Sequence, residues 1–174
     1  MASTRKVSIP EGVKIDFQGS RLIVKGPKGQ LERDFWFPQI TVTASDHEVI
    51  ISTGSDRKMI TAMVGTIAAH VQNMCTGVTR GFEYHMKVVY SHFPIQLKLQ
   101  GKRLEINNFL GEKKARYADI VPGVEVKVGN DEVVLTGINK ELVGIVSANI
   151  EHATKIRDRD PRVFQDGIYL VQRT

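Results

Sequence analysis

The chain repeats itself, and this constrains its fold more than any other feature. Gln18-Gly19-Ser20-Arg21-Leu22 recurs as Gln100-Gly101-Lys102-Arg103-Leu104. Alternating segments precede both copies: Val13-Lys14-Ile15-Asp16-Phe17 and Ile95-Gln96-Leu97-Lys98-Leu99. Each copy leads into a second apolar strand and a loop with a glycine, Gly29 in one and Gly111 in the other. Ile40-Thr41-Val42-Thr43-Ala44 then corresponds to Val124-Glu125-Val126-Lys127-Val128. Polar turns follow, Ser45-Asp46-His47-Glu48 and Gly129-Asn130-Asp131-Glu132, and then the apolar runs Val49-Ile50-Ile51 and Val133-Val134-Leu135. The same elements in the same order over most of both halves imply a duplicated unit.

Strict alternation signals one buried and one wet face, as in antiparallel sheets, and the polar turns between the runs are hairpin turns. The period then changes. Ile60, Val64, Ile67, Val71 and Met74 step by three and four, as do Leu142, Val146, Ile150, Ala153 and Ile156, so each set lines one helical face. Ser55 and Asn139 are the expected N-caps, and Gly77 the expected stop of the first helix. A further strand follows each helix, Phe82 to Tyr90 and Gly167 to Val171. The expected fold is α+β: two tandem duplicated domains, each a mainly antiparallel sheet with one helix packed on one face. The domains are placed at residues 1–81 and 82–174. The cut is loose around Ser91-His92-Phe93-Pro94, because Thr79 to Tyr90 can pair with either domain.

Lys plus Arg number 24 against 19 Asp plus Glu, a net charge of +5, with a pI near 9.4. That balance favours a polyanionic partner, since surface cations gain by releasing counterions from phosphates. One cysteine, Cys75, excludes a disulfide framework, and its place in an apolar helical stretch suits a small buried hydrophobe. No apolar run approaches bilayer length and no signal segment follows Met1-Ala2-Ser3-Thr4-Arg5-Lys6, so a cytoplasmic protein without membrane contact is expected.

Catalytic patterns are missing. His47, His70, His85, His92 and His152 are scattered without metal-ligand spacing; no metal or cofactor is expected. Gly26-Pro27-Lys28-Gly29 lacks the Gly-Lys-Ser/Thr ending of a P-loop and reads as a turn between strands. An enzyme would need a pocket of convergent polar groups, for which no residue pattern speaks.

What remains is a basic surface in the second half. Lys98, Lys102, Arg103, Lys113, Lys114 and Arg116 face only Glu105 and Glu112 as opposing charges. Gly111 lets the backbone approach another chain, and Tyr117 is placed to stack on a sugar or base. After the second helix come Lys155, Arg157, Arg159 and Arg162, interleaved with Asp158, Asp160 and Asp166. Two readings stand side by side there: a solvated connector, or a loop held rigid by internal ion pairs with some arginines left for phosphate. No aromatic pattern of a base-stacking sheet appears, so folded RNA read by shape and backbone is favoured.

Several of these stretches carry a resemblance. Val24-Lys25-Gly26-Pro27-Lys28-Gly29, Asn107-Asn108-Phe109-Leu110-Gly111-Glu112-Lys113 and Asp160-Pro161-Arg162-Val163-Phe164-Gln165-Asp166-Gly167-Ile168-Tyr169 resemble the universal large-subunit ribosomal protein family L-six, called L-nine in eukaryotes. His70-Val71-Gln72-Asn73-Met74 and Tyr90-Ser91-His92-Phe93-Pro94-Ile95 are similar to its archaeal and eukaryotic branch, and the length suits an archaeal-type member. His152 departs from the family, whose C-terminal signature usually has glutamine there. The resemblance implies a non-enzymatic component of the large ribosomal subunit. It would bind large-subunit rRNA beside the sarcin–ricin loop and the stalk base, next to ribosomal proteins and close to transiently bound elongation factors. It also implies that the second domain makes most rRNA contacts, through the Gly111-Glu112-Lys113-Lys114 loop and the segment from Arg162 to Asp166, Gln165 included. Phe164 and Tyr169 are expected to pack the last strand, and Asp166 to hold an arginine. The rival reading is an RNA-binding assembly factor outside the ribosome.

Overall fold

The structure, a computed structural model, describes residues 3–45, 47–90, 92–160 and 162–174. The turn residue Asp46, the linker residue Ser91, Pro161, and the first two residues of the N-terminal stretch lie outside the described residues. The chain divides into two compact units, Met1–Gly81 and Phe82–Thr174.

In the first unit β1 (Ser3–Ser8), β6 (Glu48–Thr53) and β5 (Thr41–Ala44) form one antiparallel sheet in the order β1-β6-β5. β2 (Lys14–Gln18), β3 (Arg21–Gly26) and β4 (Gly29–Asp34) form another in sequence order. α1 (Lys58–Thr79) lays Val64, Ile67, Val71, Met74 and Val78 into a core with Val7, Leu22, Val24, Val49 and Ile51. Cys75 belongs to this core, and burial pushes its thiol above the ordinary value, as suits an inert hydrophobe.

The second unit contains β7 (Phe82–Val89), β8 (Gln96–Gln100), β9 (Arg103–Asn107), β10 (Arg116–Asp119), β11 (Val124–Val128), β12 (Glu132–Gly137), α2 (Lys140–Ala153) and β13 (Gly167–Arg173). Its sheets run β10-β9-β8 and β11-β12-β7-β13. Val143, Val146 and Ile150 of α2 are buried with Leu104, Ile106, Met86, Leu135 and Ile168. Among the described residues each unit thus has one α-helix over two small antiparallel sheets. The α+β duplication holds, with its sheet split in two.

The duplication reaches individual bonds. Arg21 pairs with Asp34 at 3.1 Å, and Arg103 with Asp119 at 2.7 Å, each across neighbouring strands. The Phe35 amide donates to Ser20 O at 2.7 Å, and the Ile120 amide to Lys102 O at 2.8 Å. The polar turns also match, with Ser45 N donating to Glu48 O and Gly129 N to Glu132 O.

The strand after α1, which the sequence leaves free to pair with either domain, belongs to the second: β7 lies between β12 and β13. Its counterpart is β1, which pairs with β6 as β7 pairs with β12. The N-cap and stop expectations for α1 are corrected. Ser55 does not occupy the N-cap, which is Arg57; the Ser55 hydroxyl accepts from the Arg57 amide at 3.4 Å, ahead of the helix. Gly77 does not stop α1 but is buried inside it, and the chain leaves at the left-handed Gly81, with the Arg80 and Gly81 amides reaching Thr76 O. Asn139 does cap α2, accepting from the Glu141 amide at 2.9 Å.

Gly26-Pro27-Lys28-Gly29 is the turn joining β3 to β4, and it grips the end of α1. The Lys28 amide donates to Val78 O at 2.9 Å, and its ammonium donates to Arg80 O. The approach is so close that a Cβ on Gly26 would lie 2.6 Å from Val78 Cγ2. On the outer face of the four-stranded sheet, His85 bridges Glu83 (Nε2 to Oε1, 2.8 Å) and Glu132 (Nδ1 to Oε1, 2.5 Å). The hydrogen bond with Glu132 chiefly raises the imidazole above its ordinary value; desolvation opposes it, and the hydrogen bond with Glu83 adds a smaller rise.

Candidate nucleic-acid interface

Two loops of the second unit carry most of the sequence-predicted site residues. One joins β9 to β10 and contains Gly111, Lys113 and Lys114; the other joins α2 to β13 and contains Lys155, Arg157, Arg159, Arg162 and Gln165. All of these residues are exposed.

The first loop is backbone-strained. Asn108, Leu110 and Gly111 adopt φ values of 57°, 51° and 76°. Glycine tolerates that region, whereas leucine seldom enters it, so the surroundings must hold it there. Several contacts do so. A 3-10 turn over Phe109–Gly111 buries Phe109, and the Asn108 side chain donates to Pro94 O at 3.1 Å. The Phe93 ring lies against Gly111, 3.2 Å from where a Cβ would stand.

Arg116 then joins this loop to the second. Its guanidinium grips Glu112 through two hydrogen bonds and donates from Nη1 to Ala153 O and Lys155 O, both at 3.0 Å. It also covers the Phe109 ring, 4.3 Å from the centroid. The bond to Ala153 O satisfies a carbonyl at the C-terminal end of α2, which the helix itself leaves without a donor, and the bond to Lys155 O holds the start of the second loop. The hydrogen bonds from Arg116 hold the Glu112 carboxyl below its usual range, with a smaller contribution from Arg159. Four of the five Arg116 N–H donors are thus used inside the unit.

The second loop is built around Asp160 and Asp166. Asp160 accepts from the Arg162 amide at 2.9 Å, and its carbonyl accepts from the Val163 and Phe164 amides. Thr154, buried at the end of α2, donates to Ile150 O and accepts from the Ile168 amide. Asp158 and Asp160 form no ion pair with a described residue. Asp166 is engaged by His92: its side chain, only 1% exposed, accepts from the His92 amide at 3.3 Å and faces His92 Nδ1 at 2.9 Å. The His92 ring stacks on Phe164 at 4.7 Å, and the Arg159 guanidinium lies over that same phenyl ring at 4.7 Å. Tyr169 reaches back through its hydroxyl to Gln165 O and Asp166 O.

The stretch His92-Phe93-Pro94 therefore touches both loops: His92 holds the second, while Phe93 and Pro94 hold the first. With Arg116 it makes one surface from segments distant in sequence. Lys113 and Lys114 are exposed on the first of these loops, Arg157 and Arg162 on the second. Lys98, Lys102, Arg103 and Tyr117 lie instead on the sheet β10-β9-β8 and its turn. Lys98 faces Glu105 in register, Arg103 is bonded to Asp119, and Tyr117 is 53% exposed. Sequence reasoning misses His92 and Phe93 because their partners, Asp166 and Gly111, are remote along the chain.

Among the described residues no group of three His, Cys, Asp or Glu is placed to hold a metal. A hollow beside the second loop is lined by Val89, Glu151, Thr154, Ile156, Phe164 and Tyr169, among others. Its carboxylate, Glu151, accepts from the Leu170 amide at 3.0 Å and so serves the sheet. Among the described residues no helix is long and apolar enough to cross a membrane.

The model of the family described as Ribosomal protein L6 matches residues 9–81 and 93–167, one block in each half. The chain is 61% identical over 174 residues to the large ribosomal subunit protein uL6 of Methanospirillum hungatei, covering 100% of this chain and 99% of that protein. It is 55% identical over 170 residues to the protein of the same name from Methanocella arvoryzae, covering 97% and 96%. The Methanobrevibacter smithii protein of that name is 49% identical over 172 residues, covering 99% and 97%.

Proposed function

Because the chain belongs to the ribosomal protein L6 family, we propose that it is a non-enzymatic structural constituent of an archaeal large ribosomal subunit that docks on large-subunit rRNA through its second unit. The observation that carries this reading is the union of two cationic loops into one surface by Arg116 and His92-Phe93-Pro94. A positioned cluster of cations binds closely spaced phosphates better than separate mobile ones, because less side-chain and loop freedom is given up on binding. Lys113, Lys114, Arg157 and Arg162 contact RNA backbone, with Arg159, Lys155 and Gln165 at the margin. Arg116 acts by positioning the loops. Lys98, Lys102, Arg103 and Tyr117 extend the surface along the sheet β10-β9-β8.

The site on the RNA is the region of the sarcin–ricin loop and the stalk base, beside the ribosomal proteins there. The protein supports elongation-factor docking by fixing the RNA, without chemistry of its own. The test is binding of the full chain to an rRNA fragment carrying the sarcin–ricin hairpin across a salt series. K113E/K114E should weaken binding and flatten the log–log salt slope by roughly 0.7–0.9 for each phosphate no longer neutralised. Unchanged affinity and slope would overturn the assignment of this loop. Co-sedimentation with large subunits in moderate salt separates a resident protein from an assembly factor, which would be released.

A further inference from the structure

Resting on the reading of this surface as an RNA-backbone interface, we infer that His92 is a further phosphate ligand. It donates from Nε2 as an imidazolium whose other nitrogen is held by Asp166. Four observations converge on it. The Asp166 carboxylate is buried and lies 2.9 Å from Nδ1, which requires a proton on that nitrogen and fixes the ring's orientation. One ring face is covered by Phe164, so the ring cannot swing without losing its stacking. The side chain is nevertheless 33% exposed, and Nε2 has no partner among the described residues. Finally, the residue adjoins both cationic loops, beside Phe93 against Gly111 and across Phe164 from Arg159.

A structural clasp alone needs only the Nδ1 side of the ring. An aligned, uncommitted ring nitrogen among cations matches a phosphate oxygen, which accepts the Nε2 proton. The imidazolium then lies between two anions, the buried carboxylate and the phosphate. The charged groups around it are Asp166 just before β13, Arg159 beyond Phe164, Asp160 and Arg162 in the same loop, and Glu112, Lys113 and Lys114 in the other.

Two substitutions separate the two ring nitrogens. H92N places an amide N–H where Nδ1 stood, so it keeps the bond to Asp166 and removes the Nε2 donor. H92Q places its amide nearer the Nε2 position and loosens the bond to Asp166. The full-length variants are compared with wild type on the same rRNA fragment. H92N should bind about tenfold more weakly, with its melting temperature near wild type, as for loss of one charge-assisted hydrogen bond. H92N equal to wild type, with H92Q alone impaired, would make His92 a clasp only and overturn the inference. K113E/K114E run alongside judges the loop itself. Insensitivity there rejects the loop reading while the H92N comparison still decides His92, and no binding by wild type rejects both.

Discussion

Arg116 and Glu112 form a two-pronged ion pair, with Nη2 2.6 Å from Oε1 and Nε 2.8 Å from Oε2, spanning the Lys113-Lys114 turn. The same guanidinium caps α2. R116A therefore removes a loop clasp and a helix cap together. The expected loss, from partly buried charge-assisted bonds, is about 2–3 kcal/mol of unfolding free energy in urea titrations. R116K should recover less than half, because an ammonium cannot fork across a carboxylate and reach two carbonyls. A loss no larger than that of R103A, whose pair with Asp119 is well exposed, would refute the clasp.

The pair also sets a pH dependence. The Glu112 carboxyl is held below its unfolded value near 4.5, first by the hydrogen bonds from Arg116. A depressed carboxylate contributes stability that is present above its unfolded pKa and is lost as pH falls through its folded pKa. The stability difference between wild type and E112Q should be full at neutral pH and shrink progressively below about pH 5. Urea midpoints of both proteins over that range measure it, and a constant difference would contradict the geometry.

His85 should behave in the opposite sense. Its imidazole is raised above 6.5 by Glu132 and then Glu83. A raised base contributes stability that is complete below the unfolded value and is lost as pH rises through the folded one. H85Q should thus be less stable than wild type in mild acid and approach it in mild alkali. NMR titration of the ring in wild type and E132Q checks the cause, since E132Q should bring the midpoint down.

Two glycines in the first unit should respond with opposite signs. G26A forces a methyl group into Val78 and the end of α1, with about 1–3 kcal/mol of destabilisation expected from overpacking. G65A meets nothing within 4 Å on the α1 surface and should stabilise by about 0.5–1 kcal/mol, the ordinary helical preference for alanine over glycine. Thermal melts of the two variants read the contrast directly.

The fold is legible in the sequence wherever local pattern determines it. Val133 and Leu135 point inward on β12 as their alternation implies, and Val64, Ile67 and Val71 line α1 as their spacing implies. Pairing partners are not legible. Alternation in β7 shows that one face is buried, but it carries no information on whether β6 or β12 lies alongside. β1 escapes notice because Val7 is its one fully buried residue, too little to produce a pattern. At the interface, the concentration of lysine and arginine is visible, and the division of labour is not. Nothing local distinguishes Arg116, which turns inward to a helix end, from Lys113 and Lys114, which stand outside. The contact of His92 with Asp166 exists only because β13 returns beside β7.

The membership of β7 in the second sheet bears on how the protein is made. Residues up to Gly81 contain every strand and the helix of the first unit, so that half can close while the remainder is still being synthesised. β7 emerges next and waits, one edge for β12 and the other for β13, the last strand to appear. Until β13 arrives, the Val89 end of β7 offers open hydrogen-bonding groups to any extended chain nearby. Shortening the chain before Gly167 would therefore leave the first half intact and turn the second into a sticky, aggregation-prone edge.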